Sequence, residues 1–304
     1  MSWKNFVDIF KFIAGIVQAQ SILNEFKPDV IFAKGGYVAL PVVLAAGWLK
    51  IPVVVHESDS KLGLANRMAL KPAAKVAVSF PIEQYLKMHP KLHGQEHKFV
   101  YTGLPVAREL LEAKPKEFFK ERRKTALITG GSQGARAINE AIWEILPELA
   151  GNYNIIHQTG ELDFARGEKI RDELPGNLKD HYAVMGFETD KFRSALKSAD
   201  VVVSRSGSFV FELQALGKPA VLIPLPGSAS DHQRTNARFM VEHGAALAID
   251  QKDLTSEKLQ GLIEQILNDD KLQAELTAGM KSLGTMNLTA AQSLADLIVK
   301  EARK

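Results

Sequence analysis

The sequence predicts an α/β protein built on parallel sheets, and three observations carry that prediction. Short apolar runs alternate with stretches of helical periodicity along nearly the whole chain, the pattern of βαβ crossover units. Several of these runs end abruptly in glycine- or serine-rich turns that open a helix. At 304 residues the chain is long enough for two domains of ordinary size.

The clearest unit spans Asp200 to Asn236. An apolar run, Val201 to Val203, stops at Ser204-Arg205-Ser206-Gly207-Ser208. Helical spacing of Phe209, Leu213 and Leu216 follows, closed by Gly217 before Pro219, and a second apolar run covers Ala220 to Ile223. The first turn falls at the carboxyl edge of a parallel sheet, where such folds bind ligands. Its N–H groups and hydroxyls at a helix start suit a phosphate. Glu212, one turn in, is placed to accept hydrogen bonds from sugar hydroxyls. A structural reading is equally open: Ser208 as a helix cap and Glu212 as a favourable first-turn charge.

In chain order, residues 3–24 read as an amphipathic helix, with Trp3, Phe6, Val7, Phe10, Ile13, Ile16 and Val17 on one face. That face is expected to pack on a sheet; the alternative is a helix lying on lipid. Val30 to Phe32 is a short strand ending at Lys34-Gly35-Gly36-Tyr37, before a helix from Pro41 to Leu49. Pro52 to Val55 ends in His56-Glu57-Ser58-Asp59, and a helix after Gly63 carries Asn66 and Arg67. Strands at 76–79 and 100–103 close this half. No strand and glycine loop precede the first helix, so the first domain, residues 1–107, is expected to be partial. The charged, proline-containing stretch 108–122 reads as a linker. A second domain, 123–284, opens with Thr125 to Thr129 and the turn Gly130-Gly131-Ser132-Gln133-Gly134. A helix to about Leu149, strands at 154–158 and 182–185 and a helix near 190–198 lead back to the Asp200–Asn236 unit. Residues 255–302 read as three helical segments, the last (285–304) packing back on the first domain.

Composition removes several classes of function. Hydrophobic content of 46% and charge of 24% are ordinary for a globular protein, and no apolar run of membrane-spanning length occurs. Asp8 and Lys11 interrupt the apolar start, which therefore does not read as a signal peptide. Zero cysteines exclude disulfides, thiolate metal sites and cysteine catalysis. The formal charge is +3, with 13 Lys/Arg against 8 Asp/Glu in residues 1–110. That excess lacks the dense basic run of a nucleic-acid binder, and fits contact with an anionic membrane surface. There is no GxxxxGK[ST] or HExxH motif. Pro90 and Gly94 break any helix through His89, His93 and His97, which read as a solvated loop rather than a metal site. The GGSQG turn lacks dinucleotide-fingerprint spacing, but its N–H donors would suit a pyrophosphate.

Taken together, KGGYVALP, HESDSKLGLANR, GLPVARE, TGGSQGAR, SRSGSFVFEL and GKPAVLIPLP…DHQRTNAR resemble, in order, the motif series of the MurG family of glycosyltransferases (family 28). The resemblance implies a GT-B architecture, two Rossmann-like domains with the donor on the second. It implies inverting transfer of GlcNAc from UDP-GlcNAc to the C4 hydroxyl of a lipid-pyrophosphate muramyl pentapeptide, with no cofactor and no protein-bound metal. It places such a protein peripherally on the cytoplasmic face of the membrane, with no nucleic-acid partner. By motif, Ser132, Gln133 and Gly134 would meet the donor diphosphate. Ser206, Gly207, Ser208, Phe209, Val210 and Phe211 would offer it N–H groups, and Arg108 and Arg205 positive potential. Glu212 would hold the ribose, Phe187 would lie near uracil, and His232 and Gln233 would read the sugar, with Asp59 also on the donor side. Gly35, Gly36, Tyr37, His56, Glu57 and Asn66 would face the acceptor.

The chain also departs from the pattern. The family's glycine-rich N-terminal loop, which carries a candidate base, has no counterpart before the first helix. This leaves His56 and Glu57 as weak catalytic candidates and implies a separate N-terminal segment or a start further upstream. Asp59 replaces an asparagine, Ala107 displaces the family's arginine to Arg108, and the SGSFVFE turn is one residue short. Two further readings follow, a donor-binding chain without transfer and a transferase for another lipid acceptor such as diacylglycerol. Structural readings remain beside these: a bonded His56–Glu57 pair, Tyr37 in the core, and Arg136 and Arg205 in surface ion pairs.

Overall fold

The computed structural model describes residues 3–131, 134–186, 189–228 and 231–303, with side chains from Phe10 onward. Two compact units divide the chain: Met1–Pro105 with Met286–Lys304, and Val106–Thr285.

The first unit holds a four-stranded parallel sheet in the order β1 (Ile31–Ala33), β2 (Val53–Glu57), β3 (Lys75–Val78), β4 (Phe99–Tyr101). β2 is buried along its whole length, as expected of a parallel strand covered on both faces. Val54 and Ala77 pack with Leu294 and Leu297, and Asn287 Oδ1 accepts the Leu104 N–H at 3.0 Å. The end of the chain is thereby part of this unit's core.

The helix Trp3–Phe26 differs from expectation in the face it buries. Ile16, Ala19 and Leu23 are buried, while Phe10, Ile13 and Val17 are 51–61% exposed; the side chains of Trp3, Phe6 and Val7 lie outside the described set. The buried side packs against the helix Leu40–Trp48.

The second unit holds a six-stranded parallel sheet: β5 (Thr125–Thr129), β6 (Asn154–Gln158), β7 (Tyr182–Met185), β8 (Val201–Ser204), β9 (Ala220–Leu222) and β10 (Ala246–Ala248). Their spatial order is β10-β9-β8-β5-β6-β7. The chain builds outward from β5 through β6 to β7, then crosses to the other side of β5 and builds outward again. The order therefore reverses between β5 and β8, the place where open α/β sheets leave a crevice. The helices Arg136–Asn152 and Ser256–Asn268 cover one face through Ile138, Ile142, Leu146, Leu259 and Ile263.

Two expected boundaries differ. The stretch read as a linker, 108–122, packs on the second unit: Leu110 is buried, Lys116 N–H donates to Ser198 Oγ at 3.0 Å, and Lys197 Nζ donates to the Leu111 carbonyl at 2.8 Å. Its charged side chains look outward while its backbone is held. The C-terminal region is two helices rather than three, Ser256–Asn268 and Asp270–Ala302. Gly279 and Gly284 do not break the second. They admit backbone, since an added Cβ would stand 2.4 Å from the Gly244 carbonyl oxygen and 2.3 Å from that of Gln214.

Gly284→Ala is expected to destabilise the protein by about 1–3 kcal/mol through overpacking against an unyielding carbonyl. A thermal melt superimposable on wild type would show that the contact is not tight.

Candidate functional site

A crevice of about 490 Å3 opens at the carboxyl edge of the six-stranded sheet, lined by Thr129, Gly131, Gln158, Gly186, residues of the 189–193 segment and the turn from Ser204 to Glu212. It sits where the strand order reverses. Another cavity of about 470 Å3 lies at the amino edge, lined by residues 115–123 with Asn154 and Asp200. Parallel-sheet geometry favours the carboxyl edge, because the turns there open helices with their N–H groups outward.

The turn after β8 is anchored from behind. Ser206, fully buried, donates its hydroxyl to the Gln233 carbonyl at 2.8 Å. Asn236 Nδ2 donates to the Ser206 carbonyl at 3.1 Å, and Gln233 Oε1 accepts the Leu225 N–H at 2.9 Å. Ser206 and Gln233 thus tie the turn to the helix His232–Glu242, whose first residue, His232, is half-buried. Arg205 is neither a surface ion pair nor a free cation. Its guanidinium donates to the carbonyls of Ile223 and Pro224 at 3.1 and 3.4 Å and to Gln251 Oε1 at 2.7 Å. It clasps the end of β9 and is also one of the residues that line the crevice.

The helix here starts at Val210 with Phe209 as its cap residue and no side-chain cap bond, so Ser208 is not the cap. The N–H groups of Val210 and Phe211 donate to the carbonyls of Gly207 and Ser208, and both side chains are buried in the core. The expectation that these two residues offer N–H groups to a ligand is therefore corrected: they close the turn. Among the described residues, no internal bond takes the N–H of Gly207, Ser208 or Phe209. Phe209 and Phe192 make an apolar wall, their ring centroids 5.8 Å apart. Glu212 stands half-buried in the crevice, and its carboxylate hydrogen-bonds to no described residue. Burial raises its pKa, and Arg193 pulls the other way.

The turn after β5 is more self-satisfied than its glycines imply. Gly131 N–H donates to Thr129 Oγ1 at 3.1 Å, and Gly134 N–H to the Gly131 carbonyl at 2.9 Å. Thr129 Oγ1 donates to Gln158 Oε1, whose amide donates to the Gly131 carbonyl at 3.1 Å. Gly134 has φ +77°, and an added Cβ there would meet the Thr159 carbonyl oxygen at 2.2 Å, so this position excludes any side chain. Ser132, Gln133 and Phe187 lie outside the described residues. Thr129, Gln158, Phe192 and Arg193 were absent from the sequence-based set. The two strand-end residues become visible once β6 is known to lie beside β5; no motif marks the other two.

In the first unit His56 and Glu57 do not bond to each other, because consecutive strand residues face opposite sides. His56 is fully buried, its Nε2 lying 3.2 Å from Ser79 Oγ and 3.4 Å from the Gly103 carbonyl. Burial holds its pKa down to about 4. Glu57 Oε1 accepts the Asp59 N–H at 3.1 Å, and Oε2 accepts the Gly63 N–H and Asn66 Nδ2 at 2.8 and 2.9 Å. Burial raises its pKa against those bonds. Asn66 also reaches the His56 carbonyl at 3.2 Å and packs beneath Gly35. Gly35 and Gly36 take φ of +89° and +81°. Tyr37 is 77% exposed and is not core. The Asp59 carbonyl accepts the Tyr85 hydroxyl at 2.7 Å. In the second unit Arg108 is 85% exposed, paired with Glu112 at 2.6 Å, and lines no part of the crevice.

His93 pairs with Glu96 at 3.4 Å, and no cluster of three metal-ligating side chains occurs among the described residues. No described helix is long and apolar enough to cross a membrane.

The model of the glycosyltransferase family 28 C-terminal domain matches residues 125–297, and that of the family's N-terminal domain matches residues 1–78. The chain is 36% identical over 292 residues to the UDP-N-acetylglucosamine–N-acetylmuramyl-(pentapeptide) pyrophosphoryl-undecaprenol N-acetylglucosamine transferase of Bacillus pumilus (strain SAFR-032), covering 93% of this chain and 77% of the relative. To the protein of the same description from Clostridium perfringens (strain ATCC 13124) it is 37% identical over 307 residues, covering 98% and 80%. The crystal structure of MurG from Acinetobacter baumannii superposes with a TM-score of 0.77 at 30% identity, covering 96% of this chain and 80% of that one.

Because the His56 pKa lies near 4 in the folded chain against about 6.5 when unfolded, its neutral form contributes stability that is complete above pH 6.5. That contribution is lost as pH falls through about 4. Urea denaturation should show stability declining across this window, with His56→Gln flattening the decline. An unchanged slope in the variant would show that His56 is not held neutral by the fold.

Proposed function

The chain belongs to glycosyltransferase family 28, and from that premise we propose that it transfers N-acetylglucosamine from UDP-N-acetylglucosamine to a lipid-pyrophosphate-linked muramyl pentapeptide. The observation that carries the reading is the crevice at the strand-order reversal, where the Glu212 carboxylate stands half-buried with no hydrogen bond to a described residue. A carboxylate so placed matches the paired hydroxyls of a ribose. The untaken N–H groups of Gly207, Ser208 and Phe209 match phosphate oxygens, and the wall of Phe192 and Phe209 excludes water from one side.

In the reaction the acceptor C4 hydroxyl oxygen attacks the anomeric carbon from the face opposite the leaving group. The bond from that carbon to the β-phosphate oxygen breaks, and the oxygen leaves with the electron pair as UDP. The configuration inverts, and the hydroxyl proton passes to a base. Negative charge growing on the diphosphate is stabilised by the turn's N–H groups, dipoles already fixed in place. Contact with an anionic membrane surface on the cytoplasmic side is part of this reading. It is supported by the exposed Phe10, Ile13 and Val17 together with the positive balance of residues 1–110.

A second reading, donor binding without transfer by this chain alone, is favoured by the burial of both acid–base candidates, His56 and Glu57. Calorimetric titration with UDP-N-acetylglucosamine tests the shared part of the two readings, and transfer to the lipid-linked acceptor separates them. Glu212→Ala should weaken donor binding by about 1–3 kcal/mol through loss of charge-assisted hydrogen bonds; wild-type affinity in that variant would remove Glu212 from the site.

A further inference from the structure

Behind the glycine turn after β5 runs a buried chain of polar groups in which every hydrogen is assignable. Trp143 Nε1 can only donate, and it lies 3.0 Å from the Tyr182 hydroxyl. That hydroxyl lies 3.0 Å from His157 Nδ1, and His157 Nε2 lies 3.0 Å from Asn139 Oδ1. Asn139 Nδ2 donates at 2.9 Å both to the Thr159 carbonyl and to Asp163 Oδ2. Both of those partners accept, so the amide nitrogen faces them and the amide oxygen faces the imidazole. His157 therefore carries its proton on Nε2 and accepts the Tyr182 proton on Nδ1. His157 and Asn139 are completely buried, and burial holds the His157 pKa down to about 3, so the neutral arrangement persists at ordinary pH.

The chain ends on the turn itself. The Thr159 carbonyl that Asn139 holds is the one that presses on Gly134. Gln158, the next residue of β6, grips the Gly131 carbonyl at 3.1 Å. Two consecutive residues on opposite faces of β6 thus secure the turn at Gly131 and Gly134. Filling this space requires no polar groups; apolar residues of the same shape would pack it without any group to satisfy.

We propose that His157, acting through Asn139 and the Thr159 carbonyl, is a positioning residue that holds Gly134 where the donor diphosphate meets the turn. The inference rests on the donor-site reading above and adds to it a residue that touches no substrate.

The test exploits geometry. A glutamine amide nitrogen reaches the place of Nε2 and still donates to Asn139, whereas an asparagine amide reaches only the place of Nδ1. Wild type, His157→Gln and His157→Asn are titrated calorimetrically with UDP-N-acetylglucosamine, with a thermal melt of each. The inference expects His157→Gln to bind within about twofold of wild type and His157→Asn to bind about tenfold more weakly, with both melting lower than wild type. Equal affinities for the two variants would overturn it. Absence of binding by wild type would overturn the donor-site reading and this inference together. If His157→Asn does not fold, Tyr182→Phe serves in its place, since it removes one oxygen and keeps the ring. About threefold weaker binding is expected there, and unchanged affinity would overturn the inference.

Discussion

The pairing of β5 with β8 is the constraint on which the second unit depends. Its register, Ala126 with Val201 through Thr129 with Ser204, brings together two strands separated in the chain by β6 and β7. All neighbours run parallel, so every strand delivers its carboxyl end to one edge. The helices that follow β5 and β8 leave in different directions, and the crevice is the space between them. A slip of one residue would turn Thr129 and Ser204 to the opposite faces. The crevice wall would be lost even though the core could still fill with Val, Ile and Leu.

Holding polar groups at that edge requires that each be satisfied from behind. Ser206, Asn236 and Gln233 serve the turn after β8, and Thr129, Gln158, His157 and Asn139 serve the turn after β5. Against that background the N–H groups of Gly207, Ser208 and Phe209 stand untaken among the described residues, and so does Glu212, a half-buried carboxylate with no hydrogen bond to a described residue. Desolvation of an unpaired carboxylate is costly, and a hydroxyl-rich ligand relieves it. The first unit follows the opposite economy. Glu57 accepts three bonds from its own loop, so its charge organises the backbone around Gly63 and Asn66.

The alternation of strands and helices was legible because apolar runs such as Val201–Val203 and Val53–Val55 sit between glycine turns, and local pattern suffices to place them. Glu212 was legible for the same reason, lying one turn beyond a glycine turn. What escaped was whatever depends on distant partners. The buried face of the first helix follows from its packing against the helix Leu40–Trp48. Gly279 and Gly284 in the long final helix are explained by the backbone carbonyls they admit. The Arg205 clasp on Ile223 and Pro224 cannot be read until β9 is known to lie beside β8. Donor capacity was overread for a related reason, since hydrogen bonds within a turn, as at Gly131 and Val210, are invisible in composition.

The central claim is that the reversal between β5 and β8 forms the donor site. A crystal structure grown with UDP tests it most directly. The account predicts the diphosphate within about 3.2 Å of the N–H groups of Gly207 or Ser208, and a ribose hydroxyl on the Glu212 carboxylate. UDP seated in the amino-edge cavity beside residues 115–123, with Glu212 still unpaired, would contradict it.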